Sequence, residues 1–522
     1  MLIKELHRIL GLEVNLDKSG ITFHNVTEIP QELREIPEKD NSDPYKYLGV
    51  LTGTTVVNGP AIINIKQKVA EKMDEIARTE SSSVNYFRRV NAKIMGLLRY
   101  SFATLEWPLT QLDAVDKLIR KKMRDAKIYG NGMSMYRLYV DRKELGHGLP
   151  NARDEYGMEL LRTIVHYAWT NDKRIQTIIQ SEQNKPHSMS KRMLQAWRKK
   201  ITKTELESIA RKYEETEEPG KKEADKLLQE VHEKIQQYYI NKWKEQKVSG
   251  EIRREFEKEW VDRETTGEAW RQFNIKKEAY MAVVRMQENC TMNGWRKAKI
   301  YNNESLKFCK YCKQKIASNT HILLGCTSTK KKQIRQHDYI AEQLYRCAER
   351  KYNFPETNPI PNHRKDEDRR ILWNANVVSN AAGKFPKRPD VFYKDKQQIV
   401  IMDATVVADR NMNKAYTAKI NKYETLVDFF RTATQIKHAT IIPMVVSING
   451  LVHKESTKWI KNTLKQRIDW NTVLRNLVVR NMKTIMYYNG INMDCQIDDE
   501  GQQAQGITTT QSESIDLELR ED

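Results

Sequence analysis

The sequence lacks the features of a membrane-spanning or a disulfide-rich secreted protein. No run of about twenty apolar residues occurs in the 522-residue sequence, so we expect no transmembrane helix. The N-terminal stretch MLIKELHRILGLEVN is too polar for a secretory signal, and its apolar spacing predicts a short amphipathic helix. Only six cysteines are present, which is too few for a disulfide framework in a chain of this length.

The charge is strongly positive, with 89 Lys and Arg against 69 Asp and Glu, a net charge of +20. Such a balance favours an anionic polymer as partner, with nucleic acid ahead of a membrane surface. The alternative is a generic charge-rich helical protein.

Basic residues are interleaved with aromatic ones in the helical stretch 151–300. We therefore expect this stretch to contact phosphates and to stack on bases. The alternative is tryptophans in the core and lysines on a solvated face. The residues that we predict to bind nucleic acid here are Trp197, Arg198, Lys199, Lys200, Arg296 and Lys297.

Changes of pattern along the chain predict a multidomain α+β protein, mostly helical in its N-terminal two-thirds. Toward the C-terminus the predicted order is a helix at about 364–373, strands at 391–393 and 398–407, a helix at 411–436, a strand at 440–448 and a helix at 455–468. The predicted segments are α/β material (1–57), a three-helix unit (58–150), a basic helical linker (151–300), a zinc knuckle (301–350), an α/β domain (351–485) and a disordered acidic, polar tail (486–522).

A metal-binding pattern follows the linker. Cys309-x2-Cys312-x8-His321-x4-Cys326 supplies three thiolates and an imidazole at spacings that suit tetrahedral zinc. Four protein ligands leave no open position, so we expect a structural zinc ion. His337 is a possible alternative ligand, or a nearby structural or nucleic-acid-facing group.

Two acids in the stretch RPDVFYKDKQQIVIMDATVV predict a second metal site. Asp403 interrupts an apolar strand, and desolvating an isolated carboxylate is costly. Paired with Asp390 at adjacent strand ends, it would repel its partner unless a cation such as Mg²⁺ lay between them. The pattern suits a PD-(D/E)xK restriction-like nuclease core, except that Thr405 stands where a lysine is usual. Lys419 and Lys422 share a helix face and are candidates to replace it. The alternative is a turn aspartate and a chance buried aspartate beside a solvated helix.

The order of these motifs resembles a known family. Zinc knuckle, Arg388-Pro389-Asp390, Asp403 and then Lys419-x2-Lys422-Tyr423 is similar to the C-terminal half of polyproteins from site-specific non-LTR (LINE-type) retrotransposons with a restriction-like endonuclease. Upstream, Gly11-Leu12-x2-Asn15-x2-Lys18-Ser19 and Tyr47-Leu48-Gly49 are similar to the end of the reverse-transcriptase palm and its primer grip. Residues 58–150 take the place of the thumb.

The resemblance implies DNA nicking for target-primed reverse transcription, with chromosomal DNA and the element's RNA as partners and the nucleus as location. Asp390 and Asp403 would hold catalytic Mg²⁺, and Lys419 or Lys422 would orient water or stabilise charge. Tyr423 would support the helix face, and Arg388 would contact phosphate. The polymerase's catalytic aspartates lie upstream of this chain in the family, so we expect a fragment that cannot polymerise DNA. Asn374, where relatives carry Asp, raises the alternative of a DNA- or RNA-binding remnant that does not cut.

Overall fold

The computed structural model describes residues 9–11, 20–23, 31, 34, 36–47, 50–53, 55–79, 81–102, 104–170, 172–214, 221–361, 363–365, 368–374, 388–433, 436 and 438–491. The described residues form a mixed α+β protein in which helices dominate and sheets are small, as the sequence predicts. They group into two compact units. The first takes in Met1–Glu80, Asn85–Ala126 and Leu149–Tyr238; the second takes in Ser81–Val84, Lys127–Gly148 and Tyr239–Asp522. The predicted six-segment division stays a prediction.

The α-helices of the described ranges are numbered in chain order. They are α1 (Asn58–Arg78), α2 (Ser83–Arg89), α3 (Gly96–Phe102), α4 (Leu109–Asp125), α5 (Met135–Tyr139), α6 (Ala152–Ala168), α7 (Lys173–Gln183), α8 (Met189–Trp197), α9 (Lys203–Glu214), α10 (Lys221–Lys244), α11 (Glu251–Phe256), α12 (Arg263–Arg271), α13 (Lys277–Gln287), α14 (Gly294–Tyr301), α15 (Asn319–Leu324), α16 (Lys330–Lys351), α17 (Met412–Ala433), α18 (Lys454–Trp459) and α19 (Trp470–Tyr488).

The first unit holds a short antiparallel hairpin, β1 (Tyr45–Tyr47) and β2 (Val50–Thr52), followed by helices. Three apolar repeats between residues 61 and 128 predict helices, and helices are present in all three places, with a π-helical turn at Val90–Met95 joining α2 to α3. α1 packs on α4, and Val69 and Met73 of α1 are fully buried. Lys122 of α4 binds Asp74 of α1 at 2.6 Å. The apolar stripes therefore form the core of this unit.

The second unit holds the five-stranded sheet on which the candidate site is built. Its strand order is β3-β4-β5-β6-β7, with every neighbouring pair antiparallel except β6 and β7. α17 connects the parallel pair β6 and β7, as a crossover helix must. The strand bounds are β3 (His363–Lys365), β4 (Arg370–Trp373), β5 (Val391–Lys394), β6 (Gln398–Val407) and β7 (His438–Ser447).

The helix predicted at about 364–373 is wrong, because this segment forms strands β3 and β4. Ile371 and Trp373 join the core on one face of the sheet, while Leu372 joins the core on the other. That two-residue alternation buries both faces, and β4 pairs with β5 along its length. A short apolar run alone does not distinguish a strand from a helix. The other predicted strands are present, and the last predicted helix ends at Leu464, as α18 and a π-helical turn.

Each face of the sheet is covered by different helices. On one face, Phe392, Ile399 and Ile401 pack with Tyr423 and Phe430 of α17. On the opposite face the sheet packs against α16 and α19, and residues from these two helices in this core include Ile340, Leu344, Leu474 and Leu477. The alternation along β6 therefore turns Asp403, in step with Ile399 and Ile401, toward α17. α19 was not predicted, and it occupies the first residues of the predicted tail.

Several predictions lie outside the described residues. They include the palm motif at 12–19, Leu48 and Gly49 of the primer-grip motif, and the tail from residue 492 onward. Within the described ranges, every helix is too short or too polar to cross a lipid bilayer.

Candidate metal sites

The two predicted acids meet where β5 begins. Val391 of β5 pairs with Met402 of β6, so Asp390, which directly precedes β5, stands opposite Asp403, which lies within β6. Both side chains are buried, with relative exposures of 8 % for Asp390 and 2 % for Asp403. The backbone N–H of Ala404 donates to Asp390 Oδ2 at 2.7 Å and fixes that carboxyl group.

One turn of α17 supplies cations and a hydroxyl to Asp403. Lys419 Nζ donates to its Oδ1 at 2.7 Å, and Lys422 Nζ donates to its Oδ2 at 3.1 Å. The Tyr423 hydroxyl, buried against the sheet, donates to Oδ2 at 2.5 Å and accepts from Lys422 at 2.6 Å. The structure therefore brings together all five residues predicted at this site, and Asp403 is compensated by two ammonium groups. Thr405, at the strand position where such nucleases usually carry a lysine, is uncharged.

The two carboxyl groups differ electrostatically. Burial raises the pKa of Asp390, and the adjacent Asp403 raises it further, although His337 opposes the shift. Burial also opposes ionisation of Asp403, but the charge and hydrogen bond of Lys419 outweigh it, together with Tyr423, and lower its pKa. A hydrogen bond links the two carboxyl groups. Two adjacent buried acids repel one another when both are ionised, so they are a pair that a divalent cation can satisfy.

His337 completes this cluster. The two acids were predicted from the sequence, but the place of His337 beside them was not. Its Nε2 lies 3.3 Å from Asp390 Oδ2, and one ligand atom from each of His337, Asp390 and Asp403 falls within 4.8 Å of the others. The alternative that His337 binds zinc is wrong, because α16 carries it to the sheet. Burial favours the neutral imidazole, but hydrogen bonds to Asp338 and Asp390 outweigh burial and raise its pKa to about 10.

The predicted zinc ligands also converge. Cys309, Cys312, His321 and Cys326 each place a ligand atom within 4.8 Å of the others. Cys309 Sγ lies 3.7 Å from Cys326 Sγ, and Cys312 Sγ lies 3.4 Å from His321 Nε2. A tetrahedron with zinc–sulfur bonds of about 2.3 Å has edges of about 3.8 Å, so the cluster matches the size of a zinc site. This cluster can bind a metal such as zinc.

Local structure holds the predicted zinc ligands in place. Phe308 bridges to Ile316, which closes the turn that carries the first two cysteines. His321 lies in the first turn of α15, whose N-cap is Ser318. Burial opposes ionisation of Cys309, but hydrogen bonds from the Tyr488 hydroxyl and from nearby backbone N–H groups outweigh it and lower the pKa of this thiol to about 6. A thiol that ionises readily is a better metal ligand.

The predicted nucleic-acid contacts fall into two groups, one largely buried and one at least partly exposed. Trp197 is only 1 % exposed and packs against Gly157, where a Cβ atom would lie 2.5 Å from the indole. It cannot stack on a base, so that prediction is wrong. Lys200 is wrong as a phosphate contact for a similar reason, because Asp154 holds its largely buried ammonium group. Tryptophans at 243 and 270 are buried too, so for these rings the core alternative is the correct one.

The other predicted contacts keep their roles as predictions. Arg198 and Lys199 are exposed, and Arg296 and Lys297 are partly exposed at the start of α14. Arg388 is exposed beside the carboxylate site, and its Nε donates to the carbonyl oxygen of Asn374 at 2.9 Å.

An exposed aromatic and basic surface on the zinc knuckle was missed by sequence reasoning. We call it the knuckle face, and its exposed residues are Phe308, Lys310, Tyr311, Lys313, Lys315 and Ile316. Lys310 lies 5.0 Å from the ring centroid of Tyr311. Exposed rings among lysines are the combination that stacks bases and neutralises phosphates. The sequence KFCKYCKQKI contains this pattern of rings and lysines between its cysteines.

Asn374 has a structural role beside the site. Its backbone N–H donates to the carbonyl oxygen of Asp390 at 2.7 Å, and its φ of 51° is left-handed. Asparagine tolerates that conformation better than most residues. The residue therefore helps to position Asp390 through the backbone, while its side chain is exposed.

No protein-family model matches the sequence, and no curated protein matches it.

Proposed function

We propose that this chain is a divalent-metal-dependent DNA endonuclease and nucleic-acid-binding part of a site-specific non-LTR retrotransposon polyprotein. The single observation that carries the proposal is the buried pair Asp390 and Asp403 with Lys419 at 2.7 Å. Two carboxylates and a lysine are the functional groups of a PD-(D/E)xK nuclease. Here the lysine comes from α17, which crosses over the strand that carries Asp403.

Each residue has a distinct task in this proposal. A divalent cation held by Asp390 and Asp403 would polarise the scissile phosphate and lower the pKa of a water molecule. Lys419 would stabilise the charge that develops on the phosphate. We assign this task to Lys419 rather than Lys422, because the ammonium group of Lys422 is shared with the Tyr423 hydroxyl. Tyr423 would hold Asp403 in one orientation.

The proposed partners are chromosomal target DNA and the element's RNA. The net charge of +20, the knuckle face and exposed Arg388 support binding to a phosphate backbone. Water would attack phosphorus and release a 3′ oxygen, which takes up a proton and becomes a 3′-hydroxyl. Such an end can prime reverse transcription. Work on chromosomal DNA requires that the protein reaches the nucleus.

A second candidate function is nucleic-acid binding without cleavage. Asn374 favours it, because an amide stands where the resembled family carries a carboxylate. In that case affinity would fall steeply with salt and no metal-dependent turnover would occur.

Nicking of supercoiled plasmid in Mg²⁺ or Mn²⁺ tests the proposal. We expect nicking by the wild type and by Asp428→Asn, a control that removes an exposed carboxylate of α17, which pairs with Arg431. Asp403→Asn should abolish nicking. Lys419→Ala should reduce the rate by at least about 100-fold, the loss typical when a transition-state contact is removed, and Lys422→Ala should reduce it less. Equal rates in Asp403→Asn and wild type would overturn the proposal, and no nicking with retained salt-sensitive binding would favour the second function.

A further inference from the structure

We propose that His337 is a third protein ligand of the divalent cation at Asp390 and Asp403, and that this site prefers Mn²⁺ to Mg²⁺. The inference rests on the proposed function in one respect, since both place a cation at these carboxylates. To the proposed function, the inference adds His337 as a ligand and Mn²⁺ as the preferred ion.

The geometry of the cluster suits three ligands on one ion. His337 Nε2 lies 3.3 Å from Asp390 Oδ2, and the three ligand atoms lie within 4.8 Å of one another. Neighbouring ligands of an octahedral ion at about 2.1 Å lie about 3 Å apart, so small side-chain movements bring the atoms to bonding distance. The ion displaces the proton that Nε2 shares with Asp390, and this proton leaves to solvent, while Nδ1 keeps its proton toward Asp338. Asp403 Oδ1 accepts one hydrogen bond in this arrangement and keeps a second lone pair.

A second carboxylate orients the imidazole as metal sites require. His337 Nδ1 lies 3.2 Å from Asp338 Oδ1, on the side of the ring away from Asp390. A ligating histidine usually donates its other N–H to a carboxylate, which fixes the tautomer and strengthens the metal bond. A histidine that only contacted DNA would not need this arrangement, and a simple ion pair with Asp390 would not need Asp338.

The zinc knuckle fixes the helix that carries His337. α16 begins four residues after Cys326, and Gln333 Nε2 of α16 donates to the Cys326 carbonyl oxygen at 2.9 Å. On the sheet side of α16, Ile340 and Ala341 are fully buried. The imidazole is therefore held between the zinc site and the sheet core, with its Nε2 turned to the carboxylates.

An imidazole ligand changes which ion binds best. Mg²⁺ prefers oxygen ligands and retains its waters, whereas Mn²⁺ and other transition metals accept nitrogen more readily. Two carboxylates alone would not distinguish strongly between the two ions. The addition of His337 predicts a preference for Mn²⁺.

Pulsed electron paramagnetic resonance of bound Mn²⁺ tests the ligand directly, on the full-length, zinc-loaded chain. We expect ¹⁴N modulation from a coordinated imidazole in the wild type and in His363→Ala, an exposed histidine of β3 used as control. His337→Ala should lose the modulation and bind Mn²⁺ at least about tenfold more weakly by calorimetry, with Mg²⁺ affinity changed much less. Asp338→Asn keeps the ligand and should retain the modulation while binding more weakly, which separates loss of a ligand from misfolding.

The outcomes distinguish this inference from the proposed function. Mn²⁺ bound without ¹⁴N modulation in the wild type, or modulation that survives in His337→Ala, would overturn the inference even if the chain nicks DNA. Modulation that depends on His337 in a chain that never nicks DNA would support the inference and contradict the nuclease. No Mn²⁺ binding in the wild type would overturn the inference as well.

Discussion

Replacing Asp390 with asparagine is predicted to remove stabilisation by Mn²⁺ while leaving the metal-free protein about as stable as before. Asparagine keeps an oxygen that can accept from the backbone N–H of Ala404, now 2.7 Å from the carboxyl group. It loses attraction to His337, and it also loses repulsion from Asp403 and the cost of burying a charge. Since these effects oppose one another, the free energy of unfolding without metal should change by about 1 kcal/mol or less.

Bound Mn²⁺ is expected to change the free energy of unfolding by more than this. An ion that binds only the folded protein stabilises it by about 2.7 kcal/mol at a concentration one hundred times its Kd. For large domains each kcal/mol shifts the midpoint of thermal unfolding by about 2 °C. The wild type should therefore gain about 5 °C in saturating Mn²⁺, and Asp390→Asn should gain almost nothing at the same concentration.

Scanning calorimetry of the zinc-loaded chain, with and without Mn²⁺, measures both quantities. Asp428→Asn makes the same chemical change at an exposed position and should keep the full shift. A shift of about 5 °C that persists in Asp390→Asn would show that Mn²⁺ binds elsewhere. A large loss of stability in the metal-free variant would show that Asp390 is a structural residue.

Three further predictions concern other parts of the molecule. Elemental analysis should find one zinc ion per chain in the wild type and in Cys495→Ser, and almost none in Cys312→Ser; equal zinc contents would contradict the four-ligand site. Tyr311→Ala should weaken binding of single-stranded DNA by about 5- to 100-fold, the usual cost of one lost base–aromatic stack, whereas exposed Tyr100 should tolerate alanine; similar losses would argue against the knuckle face. Burial raises the pKa of Asp116 from 3.8 in the unfolded chain to about 7, so its contribution to stability is full below about pH 4 and is lost as pH rises to about 7. Urea unfolding should then show Asp116→Asn gaining on wild type by up to about 1.4 kcal/mol per pH unit within that window, and parallel curves would contradict this.

The parts of the site that were predictable from the sequence are those with local patterns. The predicted zinc ligands follow one another within a short segment, and Lys419 and Lys422 share a helix face by spacing alone. Asp403 is unusual within the apolar run of β6, because a buried carboxylate needs a partner that compensates its charge.

The rest depended on tertiary packing. His337 reaches Asp390 from α16, which packs on the opposite face of the sheet from α17, and no sequence spacing records that approach. The adjacent pair His337-Asp338 is the feature of the sequence that points to a metal-binding histidine here. The burial of Trp197 is not predictable from its own neighbours in the sequence, because it depends on the absence of a side chain at Gly157 on another helix. The short apolar run of β4 suits a helix and a strand equally, and only its pairing with β5 decides between them.

The most direct test of the proposed nuclease activity is the chemistry of the DNA ends that it would produce. Zinc-loaded chain is incubated with supercoiled plasmid and Mn²⁺, and the nicked circles are then offered to a DNA polymerase with one labelled nucleotide. We predict nicked circles with extendable 3′-hydroxyl ends from the wild type and none above background from Asp390→Ala or Asp403→Ala. Labelling that is equal in the wild type and both variants, or no nicking by the wild type in Mn²⁺ or Mg²⁺, would contradict the assignment of these two carboxylates to a nuclease.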